Sequence, residues 1–308
     1  IPAEYGGRLA SVMDVEFRDG DFEQMKINAS IGLFSVKGVL ETPIVKNKTS
    51  FITGYRASFS DFALQAASEE TVKNSSTSFS DWNGRLTHKF SNVSTLTLSG
   101  YLAKDNFNFN NEFGFNYDTK LGQLIFKTVI GSDLSSATYV NVSQYSTTQT
   151  DFNEETPSEF NNGVDYVKVK EKLTYSVNDE LTVNAGISGI MYNVEPGERV
   201  PLNALGAPLA GKLKTEKGLE LAAFVGAKFD VTDRLALSAG LRFSNYAYKG
   251  PNDVFVYGEN PIQTVDNITD TLSFGNETIK SYSNLEPRLT FRYRLSENAS
   301  IKGGYSRT

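Results

Sequence analysis

The stretch Leu219-Glu220-Leu221-Ala222-Ala223-Phe224-Val225-Gly226-Ala227-Lys228-Phe229-Asp230, then Val231-Thr232-Asp233-Arg234, then Leu235-Ala236-Leu237-Ser238-Ala239-Gly240-Leu241-Arg242-Phe243-Ser244-Asn245-Tyr246, decides the fold. Side chains alternate across a β-strand, so residues two apart share a face. Leu219, Leu221, Ala223, Val225, Ala227 and Phe229 form one face, and Glu220, Phe224, Gly226, Lys228 and Asp230 point the other way. On the second arm Leu235, Leu237, Ala239, Leu241 and Phe243 oppose Ala236, Ser238, Gly240, Arg242 and Ser244. This is a hairpin with one apolar and one polar face, closed by a short polar turn. Each arm runs about eleven residues or more, roughly twice the usual strand. A strand crossing a bilayer obliquely needs about nine to eleven residues.

Working outward, the pattern repeats. Alternating strands are expected around Met25–Leu33, Val36–Ile44, Ser50–Phe59, Phe79–Phe90, Thr95–Leu102, Phe113–Ile130 and Ala137–Thr148. Others are expected around Val167–Tyr175, Leu181–Tyr192, Leu285–Leu295 and from Ala299 onward. Short polar turns sit near Lys46, Asn92, Ser132, Asn178, Thr232 and Glu297. Long polar connections are expected at Asp61–Ser78, Lys104–Asn111, Gln149–Val164, Pro196–Lys217 and Lys249–Lys280. Long and short alternate, except at the first hairpin near Phe34. Outer-membrane barrels sort their connections in this way, with short periplasmic turns and longer extracellular loops. Soluble sandwiches have no reason to do so.

Composition agrees with this reading and narrows the function classes. Mean hydropathy is -0.32, which a polar barrel interior explains as readily as a soluble protein does. No run of eighteen apolar residues exists, so no helix spans a membrane. A net charge of -6 argues against nucleic acid as a partner. There is no Cys, so disulfides and thiol chemistry are excluded. The fold class expected is all-β: a transmembrane antiparallel barrel. The count of about thirteen strands is odd, whereas bacterial single-chain barrels have even numbers. The chain also opens Ile1-Pro2-Ala3-Glu4 without an initiating Met. A piece of a larger barrel is therefore expected.

Tyr5-Gly6-Gly7-Arg8-Leu9-Ala10-Ser11-Val12-Met13-Asp14-Val15 resembles the end of the plug domain of TonB-dependent outer-membrane receptors. It looks most like the Bacteroidetes receptors that carry a carboxypeptidase-regulatory-like domain. Ile31-Gly32-Leu33, Leu40-Glu41-Thr42-Pro43-Ile44, Lys48-Thr49-Ser50-Phe51 and Leu285-Glu286-Pro287-Arg288-Leu289 fit the same family. The resemblance implies a 22-stranded barrel of which residues 20–308 are the N-terminal part, preceded at 1–19 by the plug end and linker. It implies integral outer-membrane residence and contact with lipid and lipopolysaccharide. It also implies energy from TonB, reached through the missing N-terminal region, and uptake of a scarce ligand with no cofactor. A surface lipoprotein or other complex subunits are further expected partners. Two rival readings are a structural or partner-docking barrel in an outer-membrane complex, and a soluble β-rich adhesin. The segment differs from the Ser-Arg-Ala-Ala form of SusC-like glycan importers, which weakens a glycan assignment.

Candidate sites follow from residue type and facing. Tyr5, Gly6, Gly7 and Arg8 form the plug-end motif. Arg56, Arg85, Arg242, Arg288 and Arg292 are expected on the lumen side. They read as a hydrated ladder pairing with plug or neighbouring strands, with an anionic-ligand lining as the alternative. The single histidine, His88, shares a face with Trp82, Leu86 and Phe90 near a turn and reads as aromatic girdle. Asp151-Phe152-Asn153-Glu154-Glu155 looks like a calcium loop but fails at Thr156 and Asn162, where Gly and Glu are needed. Asp14, Glu16, Asp19, Asp21 and Glu23 read as a solvated linker. Asp270-Thr271-Leu272 resembles an O-glycosylation acceptor in a long loop. No catalytic or metal set is found, so no enzyme activity is expected, and the ligand site cannot be named.

Overall fold

The computed structural model describes residues 2–7, 11–258 and 263–307. β1 (Lys26–Ile31), β2 (Ser35–Val45), β3 (Thr49–Ser58), β4 (Ser76–Lys89), β5 (Ser94–Phe109), β6 (Phe113–Ile130), β7 (Leu134–Asp151), β8 (Ser158–Ser176) and β9 (Leu181–Pro201) pair in chain order. The two-residue β10 (Gly211–Lys212) pairs at the margin of β9. β11 (Glu216–Thr232) and β12 (Leu235–Lys249) continue the sheet, and β13 (Asn252–Tyr257) and β14 (Ile268–Phe274) form a separate hairpin. β15 (Thr278–Ser296) and β16 (Ala299–Ser306) complete the order. Every pairing is antiparallel, and the main path follows chain order with β10 and the β13–β14 hairpin left off it. Among the described residues β1 and β16 each pair on one side only, so the sheet is open.

The hairpin that decided the reading has the expected register. Leu219 pairs with Ala247, Val225 with Leu241 and Phe229 with Leu237. Its turn is only Asp233-Arg234, because Thr232 Oγ1 accepts from the backbone N–H of Arg234 and of Leu235, at 3.2 and 3.0 Å.

Burial runs opposite to that of a soluble protein. Arg242, Glu286 and Arg288 are 2%, 3% and 6% exposed, while Leu241, Leu285 and Leu289 are 41%, 51% and 54% exposed. A large continuous apolar face open to the surroundings marks an interaction surface. On strands of this length the matching environment is lipid. Register places Arg56, Arg85, Arg242, Arg288 and Arg292 together on the opposite, polar face.

The strands are longer than the alternation suggests. β8 and β9 have 19 and 21 residues, well beyond what a bilayer crossing needs. Three expected loops shrink accordingly: Lys104–Asn111, Gln149–Val164, and Pro196–Lys217, of which β9 and β11 take 196–201 and 216–217. Residues 104–109 are strand, and the β5–β6 connection is only 110–112, where Asn110 and Asn111 adopt positive φ. The strict alternation of long and short connections therefore fails there as well as at the first hairpin. Gln149–Val164 reduces to 152–157, and the side chains of Asp151 and Asn153 accept from its backbone N–H groups. The span Lys249–Lys280 holds β13 and β14, so Asp270-Thr271-Leu272 lies in a strand. The span Asp61–Ser78 holds α1 (Asp61–Gln65) and α2 (Glu70–Lys73).

One outward position breaks the apolar face. Glu171 lies on β8 between Val169 and Leu173, on the side of Ile187. Ser136 Oγ and Thr138 Oγ1 donate to its two carboxylate oxygens, at 2.6 and 2.5 Å. A carboxylate beside hydrocarbon must keep its donors, since water cannot replace them. Thr138→Val in the full-length protein is expected to destabilise the fold by about 1.5–3 kcal/mol, as for other hydrogen bonds to charged groups. In a Glu171→Leu background the same substitution should be close to neutral. Urea titration of heat-modifiable migration measures both, and equal losses in the two backgrounds would remove this account.

Candidate functional site

Residues 2–7 and 11–23 lie against the polar face of the sheet and are tied to several of its strands. Pro2 O accepts from Arg288 Nη1 at 2.6 Å, and Glu4 O accepts from Arg242 Nη1 at 3.3 Å. The Glu4 carboxylate takes Lys172 at 2.9 Å and Lys170 at 3.3 Å. Asp19 Oδ1 accepts from Arg85 Nε at 2.7 Å and from Thr87 Oγ1 at 2.6 Å. Arg18 donates two bonds to Glu41, at 2.7 and 2.5 Å, and Asp21 pairs with Lys26 at 2.5 Å. Glu16 lies 3.8 Å from Lys127. The acidic run expected to be a solvated linker is thus a docked one. Its side chains stay largely exposed, but Asp14, Glu16, Asp19 and Asp21 all have partners.

The wall beneath is a built network. Arg242 Nη2 donates to Glu220 Oε1 at 3.0 Å, and its Nε donates to Ser244 Oγ at 2.9 Å. Ser244 Oγ donates to Glu286 Oε1 at 2.7 Å, and Arg288 Nη2 donates to Glu286 Oε2 at 2.8 Å. Register explains the grouping: Arg242 pairs with both Phe224 and Glu286 on adjacent strands. Two glycines let backbone and wall meet. A Cβ on Gly240 would stand 2.8 Å from the Cβ of Ala3, and one on Gly6 would stand 2.2 Å from Arg242 Nε. A cavity of ≈ 290 Å³ remains beside the segment, lined in part by Pro2, Glu4, Phe224, Gly226 and Arg288.

Of Tyr5, Gly6, Gly7 and Arg8, expected from sequence to end a plug, the first three are among the described residues. The Tyr5 phenol donates to Asp14 Oδ2 at 2.8 Å. Burial first, then that bond to a carboxylate, raises its pKa far above the ordinary phenol value. Gly6 lies against Arg242, Gly7 has a positive φ of 64°, and Arg8 lies outside the described residues. The bond to Lys26, then the N–H groups of Glu23 and Gln24, hold Asp21 far below the ordinary carboxylate range.

The five arginines divide into two groups. Arg85, Arg242 and Arg288 hold the segment, as above. Arg56 instead pairs with Asp81 at 2.7 Å and lies over the Phe79 ring. Arg292 shares the face, between Ala236 and Lys302, with no contact to the segment among the described residues. His88 stays on the outward face, bonded through Nδ1 to Thr49 Oγ1 at 2.8 Å and edge-on to Phe90. Glu4, Lys170, Lys172, Glu220 and Glu286 belong to the site and were not singled out from sequence. Their signal is cross-strand charge pairing, which needs the register to be seen.

The family model for the TonB dependent receptor-like β-barrel matches residues 39–308. The chain belongs to that family. Barrels of TonB-dependent receptors are integral outer-membrane proteins, and this chain is one; family and fold are those of receptors, not enzymes. Solved structures agree in fold. The copper transporter OprC superposes with a TM-score of 0.66 at 11% identity, covering 95% of this chain and 47% of that one. The alcaligin receptor FauA of Bordetella pertussis gives 0.62 at 12%, covering 94% and 44%. The ferripyoverdine receptor of Pseudomonas aeruginosa gives 0.61 at 12%, covering 94% and 43%. The chain spans about half the length of these proteins. No curated protein matches the chain.

Proposed function

We propose that this TonB-dependent receptor barrel belongs to an active transporter that takes a scarce ligand, such as a siderophore, glycan or peptide, into the periplasm. Residues 1–19 are the end of its plug, residues 20–308 the N-terminal part of the barrel, and TonB supplies the energy. The plug-end motif around Tyr5, Gly6 and Gly7 supports a receptor of the Bacteroidetes type.

The observation that carries this reading is how residues 2–7 and 11–23 are held. The segment is fixed by charged side chains on a polar face and not by an apolar core. The wall keeps its own ion pairs, Arg242 with Glu220 and Arg288 with Glu286, whether or not the segment is docked. Such a strap can be displaced and can rebind without disturbing the wall, which backbone ladders and lipid hold. A partner-docking barrel is the second reading, favoured only by the polar interruption at Glu171.

The test is uptake by cells lacking and regaining the full-length gene, with labelled iron–siderophore, haem, copper, oligosaccharide and peptide. Loss of at least one uptake, repeated on deleting TonB or adding an uncoupler, is expected. Unchanged uptake of all of them, with dissolution of an outer-membrane complex, would favour the docking reading.

Topology gives a separate expectation. The turns at Asn92, Asn178 and Asp233 are assigned to the periplasm, and the spans 196–217 and 249–280 to the cell exterior. In intact cells a Thr271→Cys variant should react with an impermeant thiol reagent and an Asp233→Cys variant should not. The reverse pattern would invert the barrel.

A further inference from the structure

Six tyrosines stand on the polar face beyond the docked segment. Tyr145 on β7, Tyr166 on β8, Tyr192 on β9, Tyr246 and Tyr248 on β12 and Tyr282 on β15 share the facing of the side chains that hold that segment. Each lies ten to fourteen residues from the short-turn end of its strand, whereas Lys170, Lys172, Arg242 and Arg288 lie four to eight from it. Tyr166 pairs with Tyr192, and Tyr246 with Tyr282, so the row passes from strand to strand. Tyr192 and Tyr248 flank Gly218 on β11, and the Tyr246 phenol lies over that glycine, where a Cβ would stand 2.6 Å from its Oη. The glycine therefore closes the row instead of interrupting it. Of the six hydroxyls, only those of Tyr192 and Tyr248 are bonded among the described residues, to Glu220 and from Asn252. Tyr145, Tyr246 and Tyr282 are 40%, 39% and 61% exposed. Aromatic girdles of membrane barrels face lipid. This belt faces the other way, so anchoring in the bilayer does not account for it.

We infer that the belt binds an uncharged oligosaccharide, the cargo of the transport reading above, on which this assignment rests. Tyrosine joins a flat apolar ring to a hydroxyl at its edge and loses little entropy on ordering. A sugar ring presents the matching pair of surfaces, a C–H face and a rim of hydroxyls. Linked sugars can pass from one ring to the next, since the Tyr166 and Tyr192 centroids are 6.4 Å apart. Charge argues against an anionic chelate. All five arginines expected on the lumen side lie four to eight residues from the short-turn ends, nearer the turns than the belt. At the belt Glu216 and Glu220 share the face, and Lys280 lies over the Tyr282 ring at 6.0 Å. Backbone pairing argues against a peptide. β7, β8, β9, β11 and β12 are paired on both sides here, so no strand edge is left for an extended backbone to join.

The experiment uses the full-length protein in mild detergent, with labelled maltohexaose, cellohexaose and mannohexaose, a ferric tris-catecholate and an uncharged hexapeptide as probes. Equilibrium dialysis reads binding, and uptake by cells with and without TonB reads transport. At least one hexasaccharide should bind, with an affinity that salt does not change, since no ion pair forms. Tyr166→Leu and Tyr282→Leu should each weaken it about tenfold, and Tyr166→Phe and Tyr282→Phe only about two- to threefold, because the ring stays. Heat-modifiable migration should be the same in all four variants, since neither phenol is bonded within the fold among the described residues. Failure of every hexasaccharide to bind would overturn the assignment, whatever else is retained. Equal affinity in the leucine variants and the wild type would place the sugar elsewhere and overturn the belt as its site. Binding of the chelate or the peptide that the leucine variants weaken would overturn the sugar as the ligand. TonB-dependent uptake of the chelate or the peptide alone would overturn the sugar as cargo and leave the transport reading intact. A bound sugar with no uptake of any probe would overturn cargo and transport together and leave the belt as a sugar site.

Discussion

Leu241→Arg in the full-length receptor is expected to reduce the folded fraction in membranes sharply, with a penalty of about 2–4 kcal/mol. Leu241 lies on the outward face of β12, opposite Val225 and Pro287, well inside the apolar run from Leu235 to Phe243. A guanidinium there must leave water or deform the bilayer around it. Ser238 and Leu237 provide the controls. Ser238 faces the polar side, pairs with Lys228 and Thr290, and borders open space, so Ser238→Arg stays hydrated and should be tolerated. Leu237 faces outward but lies three residues from the Asp233-Arg234 turn, near the end of the strand. At that depth an arginine reaches the interface, and the penalty should fall toward about 0–1 kcal/mol. The expected order of damage is Leu241, then Leu237, then Ser238. Equal tolerance at all three would mean that the outward face does not meet lipid. Greatest damage at Ser238 would mean a register wrong by one residue, which exchanges every side chain between faces.

The parts of this architecture readable from sequence are those where the environment imposes the period of two. Between Leu219 and Phe243 lipid and lumen select opposite side chains, so facing and register were legible and the turn was off by only two residues. Beyond the bilayer that selection stops. Lys104-Asp105-Asn106-Phe107-Asn108-Phe109 carries polar residues on both faces and reads as loop, yet it pairs residue by residue with 113–118. The backbone ladder, a Lys104–Asp118 ion pair at 3.6 Å and the Phe107 and Phe109 rings against Phe113 hold it there, and none of these shows as an alternation of apolar and polar faces. Glu171 shows the complementary case. The alternation Val167, Val169, Leu173, Tyr175 skips one position, and that gap was the visible sign of a carboxylate whose donors sit on another strand. The site was less legible again. Three of the five arginines hold the N-terminal segment, but their partners Asp19, Glu4 and Pro2 lie 66, 238 and 286 residues from them, and Glu286 lies only two from Arg288 along one strand face. Sequence spacing does not rank such pairs.

Glu286→Ala is expected to be the most damaging single change on the polar face, destabilising the fold by about 3–5 kcal/mol. Glu286 is 3% exposed and serves two guanidiniums at once. It accepts from Arg288 at 2.8 Å, lies 4.0 Å from Arg242, and is bonded by Ser244 at 2.7 Å. Its removal leaves two buried cations with one carboxylate, Glu220, between them. Taking one member from a buried ionic cluster is costly because the others stay desolvated without compensation. Glu286→Gln keeps the volume and one acceptor and should lose less. The same two arginines hold the carbonyls of Pro2 and Glu4, so the damage should extend to the docked segment. Limited proteolysis of the folded variant should cut within residues 2–7 at conditions where the wild type is protected. Replacing Arg242, Glu286 and Arg288 together with apolar residues should restore much of the stability but not the protection, since the donors to the segment are gone. That separation is the decisive measurement: stability recovered with the segment still protected would mean that Glu4 with Lys170 and Lys172 suffices to hold it.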